Sequence, residues 1–152
     1  METGSQQNKL QKGVDYVGVA IVYFCHDGNG NVLMNLRSNK TRDEHGKWDI
    51  GGGGLKHGET FEQALRRELA EEFMTEPLEI EFLGFREVHR EHNGLKTHWI
   101  SFDHKIKLDP NKVKNGEPEK FEDLRWFKFD QMPVEVHSQL PLFLDKYREK
   151  LF

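Results

Sequence analysis

The most constraining feature of this chain is a junction. Residues 51–73 read GGGGLKHGETFEQALRRELAEEF, four consecutive glycines that run into a glutamate-rich segment. Alone, the glycines would suit a flexible linker, and the glutamates an ordinary solvated helix face. The second half carries a helix signature. Thr60 suits an N-cap, and Gln63 three residues on completes a capping box. Phe61, Leu65, Leu69 and Phe73 recur every four residues as a stripe to be buried. The spacing predicts a helix from Thr60 to about Met74, with Pro77 forbidding much continuation.

The rest of the chain supplies what that stripe can pack on. VDYVGVAIVYFC is β-branched, aromatic and mostly apolar, and reads as a central strand buried on both faces. HDGNGN is a turn, VLMNLRS an antiparallel partner, NKTRDEHGK a polar loop and WDI a short strand. After the helix, LEIEFLGFREV and THWISFDHKIKL read as two strands around a turn, HREHNGLK. A loop opening at Asp109-Pro110 leads to the strand FEDLRWFKF, and an amphipathic helix closes the chain from Ser138. Regular βαβ alternation is missing, so the expected class is α+β, a mixed sheet with helices on its faces, rather than a Rossmann domain. Residues 1–13 read as a flexible arm and 14–152 as one domain. At 152 residues that domain can bury roughly 68% of its unfolded surface without disulfides. Cys25 lies in an apolar run as a small buried hydrophobe.

Charge narrows the partners. The formal net charge is −4, which argues against a duplex nucleic-acid binder and leaves a phosphate substrate in need of a cation. The first residues, METGSQQNKLQKG, lack the apolar core of a signal or membrane segment, so a cytoplasmic location is expected. The glycine run is not a P-loop, because no lysine precedes Thr60 in GxxxxGK[ST] spacing. The carboxylates are more informative. Glu68, Glu71 and Glu72 stand at i, i+3 and i+4 on neighbouring positions of one helix side. Glu72 falls at the edge of the apolar stripe, where a lone carboxylate is costly and three clustered ones repel. A hard divalent cation removes both penalties.

Gly53, five residues, Glu59, seven residues, then Arg67-Glu68-Leu69-Ala70-Glu71-Glu72 resembles the signature of the Nudix hydrolases, particularly the MutT-like nucleotide pyrophosphohydrolases. GKW before the glycines and EPEKFEDLRWF after the box look like further parts of such enzymes. Four positions depart from the pattern. Met74 and Thr75 replace a glycine and an aliphatic residue, Gly51 stands where proline is common, and Lys56 where glutamate is frequent.

The resemblance implies a Nudix αβα sandwich that cleaves the pyrophosphate bond of a nucleoside diphosphate linked to another group, using Mg²⁺ or Mn²⁺. It implies Glu71 and Glu72 as metal ligands and Glu68 as ligand or general base. Glu59 would hold the loop, Arg67 orient a carboxylate, and the Gly52 carbonyl and Glu117 complete the metal set. Gly53, Lys56, Arg42 and Trp99 are candidates for substrate contact, with Lys40 a further phosphate candidate. Tyr23, Phe85 and Phe102 are further candidates to stack on a base. His89, His92, His98 and His104 gather near one turn without an assigned role. The glycines read as a tight loop bringing backbone to a metal–phosphate centre, free to adopt positive φ. The substrate expected is a nucleoside triphosphate, modified or not, giving a monophosphate and pyrophosphate. A nucleotide sugar or ADP-ribose is the alternative, and an inactive nucleotide-binding module the third reading. The partner is then a small nucleotide, with neither membrane nor duplex nucleic acid, and a homodimer is admitted.

Overall fold

β1 (Gly18–His26) organises the molecule because alternate side chains enter two different cores. Ile21, Tyr23 and Cys25 join Leu65, Leu69 and Phe73 of α1 (Phe61–Phe73), while Phe24 joins Leu140, Phe143, Tyr147 and Leu151 of α2 (Leu140–Leu151). The two helices therefore cover opposite faces of one sheet. This computed structural model describes residues 9–152. Between the helices lie β2 (Asn31–Arg37), β3 (Trp48–Asp49), β4 (Gly51–Gly54), β5 (Glu79–His92), β6 (Leu95–Lys107) and β7 (Phe121–Lys128). The order is β3-β2-β1-β6-β5, with β4 on β1 and β7 on β2. β1 and β6 run parallel and the other pairs antiparallel, so the sheet is mixed, as the order of elements implied. Among the described residues no helix is long and apolar enough to cross a membrane.

Two readings change. The four glycines are not a tight loop. They form β4, paired residue for residue with β1 from Ala20↔Gly54 to Tyr23↔Gly51, and none has a positive φ. Their smallness serves side chains that come from elsewhere. A Cβ on Gly51 would fall 1.9 Å from the Tyr23 ring, and one on Gly53 would fall 2.3 Å from Glu68 Oε1. The segment HREHNGLK is likewise mostly strand. β5 runs to His92 and β6 starts at Leu95, leaving only Asn93 and Gly94 at the turn, both at positive φ. Asn-Gly is the pair that a tight two-residue hairpin favours.

α1 starts as the sequence predicts, with the reciprocal Thr60–Gln63 capping box in place. Its end is less ordinary: Met74 takes the left-handed conformation that a glycine would fill without steric cost. Of the arm predicted over 1–13, residues 1–8 lie outside the described residues. Gly13 lies against the Trp99 indole, and its carbonyl accepts from the His98 amide at 2.8 Å.

Candidate active site

The glutamates of α1 divide by face. Glu68 and Glu72 belong to the buried side with Leu65, Leu69 and Phe73, whereas Glu71 stands on the exposed flank. Two carboxylates in a core need company, and the company differs. Arg67 donates from Nε to Glu59 Oε2 at 2.6 Å and from Nη2 to Glu59 Oε1 at 2.9 Å. The same guanidinium donates from Nη1 to Glu68 Oε1 at 2.8 Å and from Nη2 to the Gly54 carbonyl at 3.1 Å. Glu59 also accepts from the Lys56 amide at 2.8 Å. Arg67 therefore ties the helix, the end of β4 and the 55–59 turn together. The hydrogen bonds from Arg67 pull the Glu59 carboxyl down to about 2, so it stays ionised and committed to this contact.

Glu72 has no such cation. Its Oε1 accepts from the Tyr23 hydroxyl, itself fully buried in β1. Burial pushes the Glu72 carboxyl well above the usual carboxylate range; the Tyr23 hydroxyl and, without an ion pair, the Lys120 ammonium oppose that, and Glu68 and Glu117 add to it. Burial raises the Glu68 carboxyl too, against the pull of Arg67. Glu117 comes to this place because its loop closes the end of α1. The amides of Lys114 and Gly116 donate to the Phe73 and Glu72 carbonyls at 3.0 and 2.9 Å. Both carbonyls would otherwise lack an intrahelical partner. Glu117 itself pairs with Lys120 at 3.0 Å.

Arg67 thus joins Glu59 and Glu68 and lies 3.7 Å from Glu71, Glu68 stands against Gly53, and Glu117 is near enough to act on the charge of Glu68 and Glu72. Among the described residues no three of these carboxylates converge within the 4.8 Å span that Glu87, His89 and His98 meet. Gly52 lies opposite Val22 in the ladder. The donor set suits a hard divalent cation: oxygen ligands only, an excess of negative charge, and a buried carboxylate partnered by a neutral hydroxyl. That fit rests on Glu72, which the arginine does not reach.

Beside the cluster opens a cleft of about 350 Å³ that extends from Glu72 along the glycines to Trp99, Arg42 and His137. Its walls are tied together. Arg90 of β5 bridges Asp43 at 3.1 Å and Glu44 at 2.8 Å, and Glu44 accepts from the Ser138 hydroxyl at 2.8 Å. At its floor Asn35 is buried with Oδ1 unpartnered, opposite Asp49 across β2 and β3. Burial also raises the Asp49 carboxyl.

Of the proposed aromatic contacts, only Trp99 lines this cleft. Tyr23 is core, and Phe85 and Phe102 form a cross-strand pair that packs with Phe61 on the α1 side of the sheet. Lys56 is exposed beside Glu59, and Arg42 is exposed at the cleft. His104 is buried against Phe61 and Phe82, and burial lowers its imidazole. Sequence reasoning missed the Tyr23 contact, Asn35 and His137. Tyr23 had one usable signal, since a tyrosine in an apolar run buried on both faces must find its hydroxyl a partner.

A family model described as NUDIX domain matches residues 16–147. The chain is similar to an oxidized purine nucleoside triphosphate hydrolase of Danio rerio, 33% identical over 137 residues, covering 78% of this chain and 75% of that one. A shorter stretch of 52 residues is 57% identical to the nucleoside triphosphatase NudI of an Enterobacter species, covering 34% of this chain and 36% of that one. Among solved structures, a MutT NUDIX hydrolase from Burkholderia pseudomallei superposes with a TM-score of 0.75 at 24% identity, covering 86% of this chain and 98% of that one. The NUDIX domain of Shewanella oneidensis NrtR, solved with ADP ribose, gives 0.69 at 21% identity, covering 90% of each chain. These two structures share the fold.

Proposed function

The chain belongs to the NUDIX family as a pyrophosphohydrolase acting on a nucleotide, and we propose that its substrate is a nucleoside triphosphate cleaved to a monophosphate and pyrophosphate. The observation that carries this reading is the cleft beside the carboxylates. Its volume, about 350 Å³, lies at the small end of ligand sites, roughly 300–1,000 Å³. Its floor offers the unpartnered Asn35 Oδ1 and the Asp49 carboxyl. A buried acceptor without a donor is what a ring or exocyclic N–H of a base would satisfy. Trp99, whose indole is packed against Gly13 and Gly18, lines the same cleft, and any face they leave uncovered would stack on the base. Similarity to the zebrafish hydrolase over most of both chains supports the same class of substrate.

In this reading Glu68, Glu71, Glu72, Glu117 and the Gly52 carbonyl hold Mg²⁺, or Mn²⁺ in its place. The cation would supply charge neutralisation at the phosphates and a more acidic water. Glu68, raised by burial and steadied by Arg67, also accepts a proton from the attacking water. Glu59 and Arg67 keep the turn and the helix in register, which limits how far the carboxylates have to move to reach the cation. Gly53 leaves room for the Glu68 carboxylate, and Lys56 and Arg42 meet the substrate's outer phosphates.

The test is Mg²⁺-dependent turnover of a panel of nucleoside triphosphates, oxidised triphosphates, nucleotide sugars, ADP-ribose and dinucleoside polyphosphates. Pyrophosphate and a monophosphate from triphosphates are expected. A nucleoside monophosphate with a sugar phosphate from the sugar nucleotides alone would replace the substrate assignment. A Glu71→Gln variant that kept the full metal-dependent rate would remove the carboxylate mechanism.

A further inference from the structure

The β5–β6 hairpin presents two different faces. Arg86, Val88, Arg90, Thr97, Trp99 and Ser101 turn into the cleft. Alternation places Glu87, His89, His98 and Ile100 on the reverse face. There His89 and His98 are directly opposed across the strands, with rings stacked at a centroid distance of 4.1 Å. Glu87 is two residues from His89 on the same strand, and one ligand atom from each of the three residues lies within 4.8 Å of the others. His98 Nε2 is buried without a hydrogen-bond partner.

We propose that Glu87, His89 and His98 form a second cation site that takes a borderline transition metal, Zn²⁺ or a neighbour such as Ni²⁺ or Cu²⁺. Two imidazoles and one carboxylate are a donor set for those ions and a poor one for Mg²⁺, which demands oxygen ligands and keeps its waters. The chain would therefore sort two cations by chemistry, with the hard one at the α1 carboxylates and the softer one behind the hairpin. Cross-strand partners suit the purpose because the ladder fixes their separation. Glu87 and His89 are exposed, which leaves a route in and a coordination position for water. An ion there would fasten together the two strands that carry Arg90 and Trp99 into the cleft.

The experiment is calorimetric titration of the full chain with ZnCl₂ in saturating Mg²⁺, without nucleotide, so that the carboxylate cluster is already filled. One equivalent of Zn²⁺ is expected to bind, and to raise the thermal unfolding temperature. His89→Gln and His98→Gln should each weaken that binding by about tenfold or more, and Glu87→Gln by less. Each variant is first checked for unchanged unfolding in metal-free buffer; if one histidine variant is unstable, the other and Glu87→Gln decide. Glu71→Gln should leave Zn²⁺ binding intact. Equal Zn²⁺ affinity in wild type and both histidine variants would overturn the proposal, as would loss of binding in Glu71→Gln.

Discussion

Each face of the central sheet buries a carboxylate against a tyrosine hydroxyl, and the two carboxylates keep opposite company. Beneath α2, Asp103 is wholly buried and saturated. Arg86 donates to it at 2.7 and 3.0 Å, the Ser101 hydroxyl at 2.7 Å and the Tyr147 hydroxyl at 2.6 Å. Beneath α1, Glu72 receives the Tyr23 hydroxyl, has no ion pair with a cation among the described residues, and feels Glu68 and Glu117 as further negative charge. Asp103 is a closed knot whose charge is cancelled inside the protein. Glu72 is held where burial and two neighbouring carboxylates outweigh the distant pull of Lys120, an arrangement that further positive charge would relieve. On the proposed function the difference separates a residue that serves stability from one that serves chemistry, although burial alone would class them together.

The contrast can be broken at either end. The largest effect is expected at Glu72→Gln, which should lower turnover by roughly 10³-fold, the equivalent of several kcal/mol of transition-state stabilisation. Its stability to urea in metal-free buffer should not fall, because a repelled buried charge has been removed. Steady-state rates and denaturation curves check both halves. Asp103→Asn should behave in the opposite way, costing about 3–5 kcal/mol of stability because Arg86 loses its ionised partner in a buried setting. If Asp103→Asn unfolds at the wild-type urea concentration, the knot is not structural. Mg²⁺ should sharpen the distinction. At a hundredfold excess over its dissociation constant it should stabilise the wild type by about 2.7 kcal/mol, and Glu72→Gln markedly less, as read by thermal unfolding.

The tyrosines give the finest comparison. Tyr23→Phe should cost about 10–100-fold in activity or Mg²⁺ affinity, as loss of a ligand's supporting hydrogen bond does. Tyr147→Phe should cost only about 1 kcal/mol of stability and leave the kinetics alone. Matching kinetic losses in the two variants would show that the tyrosines are equivalent.

How far the sequence reaches follows from the same residues. The start of α1 was legible because a capping box and a four-residue apolar repeat are local signals. The cluster was legible because its members share one helix or, for Glu59 and Gly53, a fixed distance from it. Glu117 was placed beside them by resemblance alone, and the geometry adds the reason: its loop caps the carbonyls of Glu72 and Phe73. The glycine strand was not legible, since β4 owes its pairing to β1 and its composition to the Tyr23 ring and the Glu68 carboxylate. The Asp103–Arg86–Tyr147 knot joins three elements that no periodicity connects. The hairpin length was misjudged because polar residues along His89–His92 suggested a turn, whereas Asn93-Gly94 needs only two positions to reverse the chain.

The loop that closes α1 acts as a measuring rod. Surface loops commonly tolerate inserted residues, but this one is fastened to the helix end at Lys114 and Gly116 before it delivers Glu117. A Cβ on Gly116 would fall 2.2 Å from the Glu71 carbonyl, so even a methyl group would push the loop away. A single residue added between Gly116 and Glu117 would change the reach of that carboxylate by up to about 3.5 Å, more than the length of a metal–oxygen bond. If Glu117 completes the metal set as proposed, the length of an outer segment becomes as strict a requirement as the identity of the glutamates it serves.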